Sequence, residues 1–229
     1  AWKEMLSNVF AAVVRVATIP ISLVAYEMGA VGPGKDCGYE NVFLKAITGF
    51  PMTIEGRDAC CAHHVPVSVA NTIMAVGDVL SNESVQLTQL LSGDAPTAFM
   101  ALLDAEALEF NDAIAMGMEG IKRDMLARSA LLNPQSYVLH PQIAIELSQK
   151  ILKAGDSPYL RTIAAMRSAT EVLRNGMTHA GLKIAKNEIQ YFDQIQEQVD
   201  ALPEKEDDLI AEMLADPDRK FDPASYGLK

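Results

Sequence analysis

The residue types best suited to chemistry lie in a glycine-rich stretch over residues 26–41. Residues 32–37 read Gly-Pro-Gly-Lys-Asp-Cys, and glycine and proline at this density predict a loop. The spacing differs from a P-loop because no Ser or Thr follows Lys35, and from a dinucleotide fingerprint because Cys37 stands at the third glycine position. Such a loop allows the backbone to approach a flat or bulky ligand closely. The alternative interpretation is a tight turn with surface charges.

Cys37 is the most reactive residue type in this loop. A thiolate at the end of a strand acts as a nucleophile or a metal ligand, and the spacing leaves a small buried thiol equally open. The loop follows a predicted strand, and loops after the carboxyl ends of strands carry the active sites of parallel α/β folds. The other candidate site residues of this stretch are Glu27, Gly32, Pro33, Gly34, Lys35, Asp36, Tyr39, Glu40 and Asn41.

A second cluster of metal-binding residue types consists of Cys60, Cys61, His63 and His64. It lacks a Cys-x-x-Cys spacing, and adjacent ligands are awkward for a tetrahedral ion, so a zinc site made from this cluster alone is disfavoured. We expect instead that these residues follow a second strand and line the same mouth as the glycine-rich loop. Glu55, Cys61 and His63 are then candidates to face substrate or cofactor.

Up to residue 65 the predicted elements alternate between helices and short strands. They are a helix over residues 2–17, a buried strand over 21–26, the glycine-rich loop, a helix over 39–48 and a second strand over 51–56. The first strand is inferred from a run that is apolar on both faces, as in parallel sheets, and the alternation is typical of βα units. Two strands are too few for an independent sheet, so we expect the others before Ala1 or in another chain.

After residue 66 the chain is predicted to be helical almost to its end. Apolar residues three and four positions apart predict helices over residues 67–80, 99–125, 143–152, 160–173, 189–202 and 209–214. The fold class is therefore α/β, followed by a mostly α-helical region. We divide the chain into residues 1–65, which hold the βα units, and residues 66–229, a helical region packed on them.

Composition and charge restrict the classes of function. With 49% hydrophobic and 6% aromatic residues, the 229-residue chain suits packed helices better than an all-β sandwich. The formal net charge of −11 argues against a nucleic-acid partner. Residues 182–220 hold eleven acidic and five basic residues, which indicates either a solvated helical face or an acidic docking surface for a partner protein.

Three cysteines cannot form a disulfide framework, and this usage indicates a reducing compartment. The apolar stretch over residues 9–26 is interrupted by Arg15 and Pro20. No uninterrupted run reaches the about 18–20 residues that cross a bilayer. We therefore predict a cytoplasmic protein with no membrane partner.

Residues 22–41 closely resemble the zinc-dependent methanol–corrinoid methyltransferases of methanogens and acetogens. The similarity continues through residues 45–49, 51–56, 61–63 and 81–85, and the ending at 221–227 is similar in character. Between residues 86 and 220 it is looser and consists mainly of helix pattern and length. The first motif is long and specific, and it carries the resemblance.

This resemblance implies a modified TIM barrel with an added helical region, of which the chain would be the C-terminal half and residues 1–65 the last βα units. It implies that a zinc ion activates the methanol hydroxyl as a Lewis acid and that the methyl group moves to Co(I) of a corrinoid. A separate corrinoid-binding partner protein is expected to dock over the barrel mouth, where the candidate residues above would face it. The full-length enzyme is expected to be a homo-oligomer.

The zinc ligands of the family are one Glu and two Cys at the ends of barrel strands, and the resemblance makes Cys37 the last of these. Three protein ligands leave the fourth tetrahedral position for the methanol oxygen. Cys60 and Cys61 match no ligand position. The other two ligands are expected upstream of Ala1, so the chain alone is expected to bind zinc weakly and to be inactive.

Two other functions remain open at this point. One is a stand-alone helical module that binds a partner protein through its acidic helices. The other is a corrinoid methyltransferase that uses a different methyl donor, such as a methylamine or a methoxylated aromatic compound.

Overall fold

The computed structural model of the chain describes residues 7–28, 40–49, 108–217 and 222–227. All regular structure within these ranges is helical. The helices are α1 (Asn8–Ala17), α2 (Ile19–Glu27), α3 (Glu40–Thr48), α4 (108–115), α5 (Glu119–Ser129), α6 (Pro134–Tyr137), α7 (Pro141–Lys153), α8 (Pro158–Asn175), α9 (Gln190–Asp200) and α10 (Glu206–Ala215). Short 3₁₀ turns cover Ala130–Leu132, Lys186–Glu188 and Pro223–Tyr226, and a π-helical turn covers Gly176–Ala180.

Helix α8 lies at the centre of the described fold, because α1, α2, α7 and α9 all pack against it. It begins where the Ser157 hydroxyl accepts a hydrogen bond from the Leu160 N–H at 3.3 Å. Pro158 occupies its first turn, where the missing proline N–H has no cost. Ala165 and Ala169 are fully buried, and side chains this small let neighbouring helices approach closely.

One hydrophobic core joins seven of the described helices, which are α1, α2, α3, α6, α7, α8 and α9. Its largest fully buried side chains include Val9 and Val16 of α1, Phe43 of α3, Leu147 and Ile151 of α7, Leu173 of α8 and Phe192 of α9. Burying one side chain of this kind stabilises the fold by about 1.5–3 kcal/mol relative to leaving it exposed. The helices predicted over residues 39–48, 143–152, 160–173, 189–202 and 209–214 are confirmed, and so is the described part of the helix over 2–17.

The start of α1 is held by a carboxylate from the distant end of the sequence. Glu188 accepts hydrogen bonds from the Val9 N–H at 2.9 Å, from Asn8 Nδ2 at 3.1 Å and from the Ser7 hydroxyl at 3.2 Å. A negative charge is favourable at a helix N-terminus, where unpaired N–H groups and the helix dipole attract it. These bonds attach the segment before α9 to the first turn of α1.

The strand predicted over residues 21–26 is wrong, because these residues lie within helix α2. The run is apolar on both faces, and periodicity alone cannot separate a buried strand from a buried helix. Pro20 does not prevent the helix, since it stands in the first turn of α2, where proline is tolerated. The Ser22 N–H donates to the Thr18 carbonyl at 3.2 Å, so the chain follows a helical path across the junction after α1.

An 18-residue window over Asn8–Ala25 is long and apolar enough to cross a membrane, judged by length and composition alone. The described fold buries 39% of this window, so core packing accounts for part of its apolar character. Val9, Val13, Val16 and Ile19 all belong to the core. Val9, Val13 and Val16 lie on one face of α1, and Ile19 begins α2.

The single long helix predicted over residues 99–125 is wrong in its described part, where α4 and α5 are separate. Gly117 has a φ of +67°, a left-handed conformation that ends a helix. Its N–H donates to the Ile114 carbonyl at 3.0 Å, and the Met118 N–H donates to the Ala113 carbonyl at 2.7 Å, which is the bond pattern of a Schellman motif. The predicted apolar stripe is not buried, since Ile114 and Met125 are both more than 60% exposed.

The acidic segment is exposed where the structure describes its last helix. Helix α10 has no buried residue, and its first turn carries three acidic side chains, which are favourable at a helix N-terminus. The Tyr159 hydroxyl of α8 donates a hydrogen bond to the Pro203 carbonyl at 2.5 Å, just before α10. Burial raises the pKa of Tyr159, and the nearby carboxylates of Glu212, Glu206 and Asp208 raise it further. The solvated face and the docking surface both stay predictions.

Several predicted elements lie outside the described residues. They are the strand over residues 51–56, the helix over 67–80 and most of the glycine-rich loop. The division of the chain at residues 65 and 66 stays a prediction as well.

Gly176 provides a test of the packing at the end of α8. A methyl group at this position would lie 2.5 Å from Cε1 and 2.7 Å from Cζ of Tyr137, a ring that is buried. We expect Gly176→Ala to lower the free energy of unfolding, because overpacking costs about 1–3 kcal/mol. This loss should outweigh the gain of about 1 kcal/mol that alanine has over glycine in a helix. Urea denaturation measures the change.

Gly120→Ala in α5 is the matched control, because a methyl group there meets nothing within 4 Å. It should stabilise the protein by about 0.4–1 kcal/mol. If Gly176→Ala stabilised the protein as much as Gly120→Ala, the tight contact with Tyr137 would be disproved.

Candidate functional site

Helices α2 and α3 bracket the glycine-rich stretch. Helix α2 ends at Glu27 and α3 begins at Glu40, so the structure describes Glu27 and the backbone of Glu40 and Asn41. The remaining candidates lie outside the described residues, and their roles stay predictions: Gly32, Pro33, Gly34, Lys35, Asp36, Cys37, Tyr39, Glu55, Cys61 and His63.

The two bracketing helices rest on a hairpin formed by α7 and α8. Helix α3 packs on α7, α2 packs on α8, and α2 and α3 pack against each other. Leu23 of α2 is 2% exposed, and Phe43 and Leu44 of α3 are also buried. The point where the chain leaves for the glycine-rich stretch and the point where it returns are therefore both fixed on one helical hairpin.

Arg161, near the start of α8, links this hairpin to α2 through polar contacts. Its Nε donates to the Gly155 carbonyl at 2.6 Å, its Nη1 to Glu27 Oε1 at 3.3 Å and its Nη2 to Asp156 Oδ1 at 3.3 Å. Gly155 and Asp156 lie in the turn between α7 and α8. The planar guanidinium donates to all three oxygens at once, which the single ammonium of lysine cannot reproduce.

The environment of this cluster is asymmetric. Arg161 is only 6% exposed, whereas the Glu27 side chain is half exposed and that of Asp156 is fully exposed. A charged side chain is rarely this buried unless it is paired. Arg161 therefore belongs to the architecture of the α2–α8 contact and is more than a surface ion pair.

The structure changes the setting in which Glu27 was predicted. The sequence placed it after a strand, and the structure places it in the last turn of α2, paired with Arg161. Glu40 and Asn41 stand at the start of α3. The role of these three residues at the mouth of a site stays a prediction. Its original basis, a strand before the glycine-rich stretch, is wrong because residues 21–26 are helical.

Arg161 and Glu188 are the residues that sequence reasoning missed. A signal for Arg161 was present, because Arg161, Ala165, Ser168 and Val172 recur at intervals of four, three and four and are all buried. A charged residue within a buried helical stripe needs polar partners. Glu188 had no comparable signal, since it lies in a short 3₁₀ turn.

Within the described ranges, no group of three or more His, Cys, Asp or Glu side chains could hold a metal ion. All three cysteines lie outside those ranges. Zinc binding by Cys37 is therefore an expectation that only its thiol chemistry and the resemblance support.

A cavity of about 420 Å³ lies beside the start of α1. Its lining residues are Asn8, Leu132, Asn133, Pro134, Leu182, Lys183, Ile184, Ala185 and Glu188. The Glu188 carboxylate already binds α1, and Asn133 Oδ1 accepts a hydrogen bond from the Gln135 N–H at 2.8 Å. Glu27, the predicted site residue whose side chain the structure describes, does not line this cavity.

Comparison with known proteins decides the family. The sequence profile of the methanol-cobalamin methyltransferase B subunit matches residues 2–227. The chain belongs to the methanol-cobalamin methyltransferase B subunit family. The resemblance seen at residues 22–41 is thereby confirmed, and it extends across the looser helical part as well.

A curated member of this family is similar along nearly the whole chain. The methanol–corrinoid protein co-methyltransferase of Methanosarcina barkeri (strain Fusaro / DSM 804) is 34% identical over 226 residues. The alignment covers 97% of this chain and 48% of the relative. The chain thus spans about half the length of the curated relative that it matches.

A solved structure agrees with this family assignment. The fold superimposes with a TM-score of 0.71 and 30% identity on a chain in the crystal structure of the methanol:cobalamin methyltransferase complex MtaBC from Methanosarcina barkeri. The match covers 99% of this chain and 50% of that chain. The described helical arrangement is therefore shared with a methanol-cobalamin methyltransferase structure.

The Arg161 cluster gives a stability prediction. We expect Arg161→Met to lower the free energy of unfolding by about 2–3 kcal/mol, because it removes hydrogen bonds from a charged donor and leaves the Gly155 carbonyl without this partner. Guanidinium chloride denaturation measures the change.

Arg167→Met is the control on the same helix. The Arg167 Nη2 lies 3.0 Å from Asp200 Oδ1, and both side chains are about half exposed, so this pair should contribute little. An equal loss of stability in both variants would show that Arg161 is no more than a surface ion pair.

Proposed function

We propose that this chain is part of an enzyme that transfers the methyl group of methanol to the Co(I) corrinoid of a separate protein. The observation that carries the proposal is the family match over residues 2–227. The names of the curated relative and of the matched complex, which both specify methanol and a corrinoid or cobalamin, support the substrate and the acceptor.

The reaction breaks the C–O bond of methanol and forms a Co–C bond. Co(I) supplies the electron pair of the new bond, and the oxygen departs with the electrons of the old one and takes up a proton to leave as water. Hydroxide is a poor leaving group, so the alcohol oxygen must be coordinated or protonated as the methyl group leaves. A zinc ion, when bound, supplies Lewis-acid polarisation of that oxygen.

Cys37 is proposed as one zinc ligand. A cysteine thiolate is among the usual zinc ligands in proteins, and Cys37 lies within residues 22–41, the motif on which the resemblance to the family rests. The chain spans about half of its relatives, and we assign the remaining ligands, a carboxylate and a second thiolate, to the other half of such an enzyme.

The mouth of the site is proposed to contain the other candidate residues, which are Glu27, Gly32, Pro33, Gly34, Lys35, Asp36, Tyr39, Glu40, Asn41, Glu55, Cys61 and His63. The corrinoid protein is proposed to dock over them. The TIM barrel also stays a proposal, and it now has one predicted strand fewer in this chain, because residues 21–26 form part of α2. Assembly into a homo-oligomer and a cytoplasmic location belong to the same proposal.

Cys37→Ala tests the function directly in the native polypeptide that contains this chain. We expect loss of zinc, measured by elemental analysis, and a fall of methanol-dependent methylation of cob(I)alamin by about a hundredfold or more. Loss of a residue that only supports a metal ligand lowers metal affinity or activity by about 10- to 100-fold. Loss of a ligand itself should lower activity at least as much. Circular dichroism should show an unchanged helix content.

Cys60→Ala is the matched control and should keep both zinc and methyl transfer. Parallel assays with a methylamine and a methoxylated aromatic compound test the identity of the methyl donor. Full zinc content and full turnover in Cys37→Ala would contradict the proposed ligand, and turnover with another donor alone would contradict methanol as the substrate.

A further inference from the structure

The outer face of α1 and α2 carries an apolar stripe that the described fold does not bury. The chain stays helical along it, since the Thr18 N–H donates to the Val14 carbonyl at 3.1 Å and the Met28 N–H donates to the Val24 carbonyl at 2.9 Å. Val14 is 41% exposed and Ile21 is 62% exposed. The members of this outer stripe recur at intervals of four, three, four, three and four residues: Phe10, Val14, Ala17, Ile21, Val24 and Met28.

The spacing of the outer stripe is that of a helix–helix contact. Alternating intervals of three and four place apolar side chains in the seam along which one helix packs on another. Residues 8–28 hold only two charged residues, Arg15 and Glu27, and neither belongs to the stripe. A helix that is apolar all round is buried in its protein, so we expect the outer face of α1 and α2 to be covered as their inner face is.

The exposed apolar side chains of α4 and α5 have a different setting. Ile114 and Met125 are exposed as well, but five of the eleven residues of α5 are charged. Charges at this density are typical of a helix that faces water. The outer stripe lacks them, and a contiguous apolar surface of this kind marks an interaction site.

The extent of the family match indicates what covers the outer stripe. The chain corresponds to 48% of the curated relative and to 50% of the matched chain in the MtaBC structure. About half of such a polypeptide therefore lies outside this chain and is available to pack against it. A membrane fits the stripe less well, because α1 packs against α8 and α9 and helices that lie on membranes carry Lys and Arg on their polar face.

We propose that the outer stripe of α1 and α2 is the surface on which an apolar helical face of the other half of the enzyme packs. The partner is the part of the family polypeptide that this chain does not match. The inference rests on the proposal that the chain is part of a longer enzyme, and it goes beyond the proposed reaction because it holds for any methyl donor.

Thiol labelling in the native polypeptide that contains this chain measures the cover. Ile21→Cys places a thiol in the outer stripe, and Ile145→Cys on α7 is the matched control, since Ile145 is 50% exposed. We expect N-ethylmaleimide to label the thiol at position 21 at least about tenfold more slowly, because a covered thiol reacts only when the interface opens. Peptide mass spectrometry quantifies each position.

Dilution and lipid separate the other possible occupants. The labelling ratio should stay constant on about a hundredfold dilution, because contacts within one polypeptide do not depend on its concentration. Protection that is lost on dilution assigns the stripe to a second copy, and protection that appears only with phosphatidylglycerol vesicles assigns it to a membrane. Either result overturns the inference, and so does equal labelling of both variants. Val14→Cys repeats the measurement if Ile21→Cys does not fold.

A photo-crosslinking amino acid in place of Ile21 identifies the covering segment. We expect the cross-linked peptide to come from the half of the polypeptide outside residues 1–229. Cross-links only to residues 1–229, in the same or in a second copy, contradict the inference.

Failure of this inference and failure of the proposed function give different results, because neither labelling nor cross-linking needs turnover. If Cys37→Ala abolishes methyl transfer while the thiols at positions 21 and 145 react at equal rates, the function stands and the interface is wrong. If Cys37→Ala retains turnover while the thiol at position 21 is protected at every dilution, the interface stands and the role of Cys37 is wrong.

Discussion

Helix α8 packs against four other helices. The need to fit all four around one helix shapes the rest of the described fold. A helix covered on several sides needs small side chains where its neighbours come close, and Ala165, Ser168 and Ala169 meet that need. Its larger residues, such as Leu173, fill the spaces between the neighbouring helices. Because interiors are close-packed, the positions of α1, α2, α7 and α9 depend on one another through α8.

Apolar packing alone leaves the ends of these helices free to shift, and two carboxylates limit that freedom. Glu188 holds the first turn of α1, and Glu27 holds the last turn of α2 through Arg161. Both bonds join segments that are far apart in sequence, so neither belongs to local helix formation. Hydrogen bonds to charged groups are stronger than neutral ones. They can therefore fix the positions of helix ends, which non-directional apolar packing does not specify.

The sequence predicted most helices of the core correctly and the element over residues 21–26 wrongly, and the reason is physical. In α7, α8 and α9 polar and apolar residues alternate with the helical period, because one face is buried and the other meets water. In α2 nearly every residue is apolar, so the pattern carries no period, and tertiary packing selects helix over strand. The end of helix α4 at Gly117 could have been predicted, since glycine commonly adopts the left-handed conformation that ends helices.

The family was nevertheless recognised from a motif that begins in the wrongly predicted segment, since residues 22–26 lie in α2. The order of side chains in residues 22–41 identifies the family, whereas the backbone state of an apolar run depends on the surfaces around it. Recognition of the family therefore did not depend on the local fold. A reaction with a poor leaving group relies on preorganised groups, and the residue that holds α2 in place, Arg161, lies 124 positions after Cys37 in sequence. The helical region that surrounds α8 thus fixes the last described turn before the glycine-rich stretch, at Glu27.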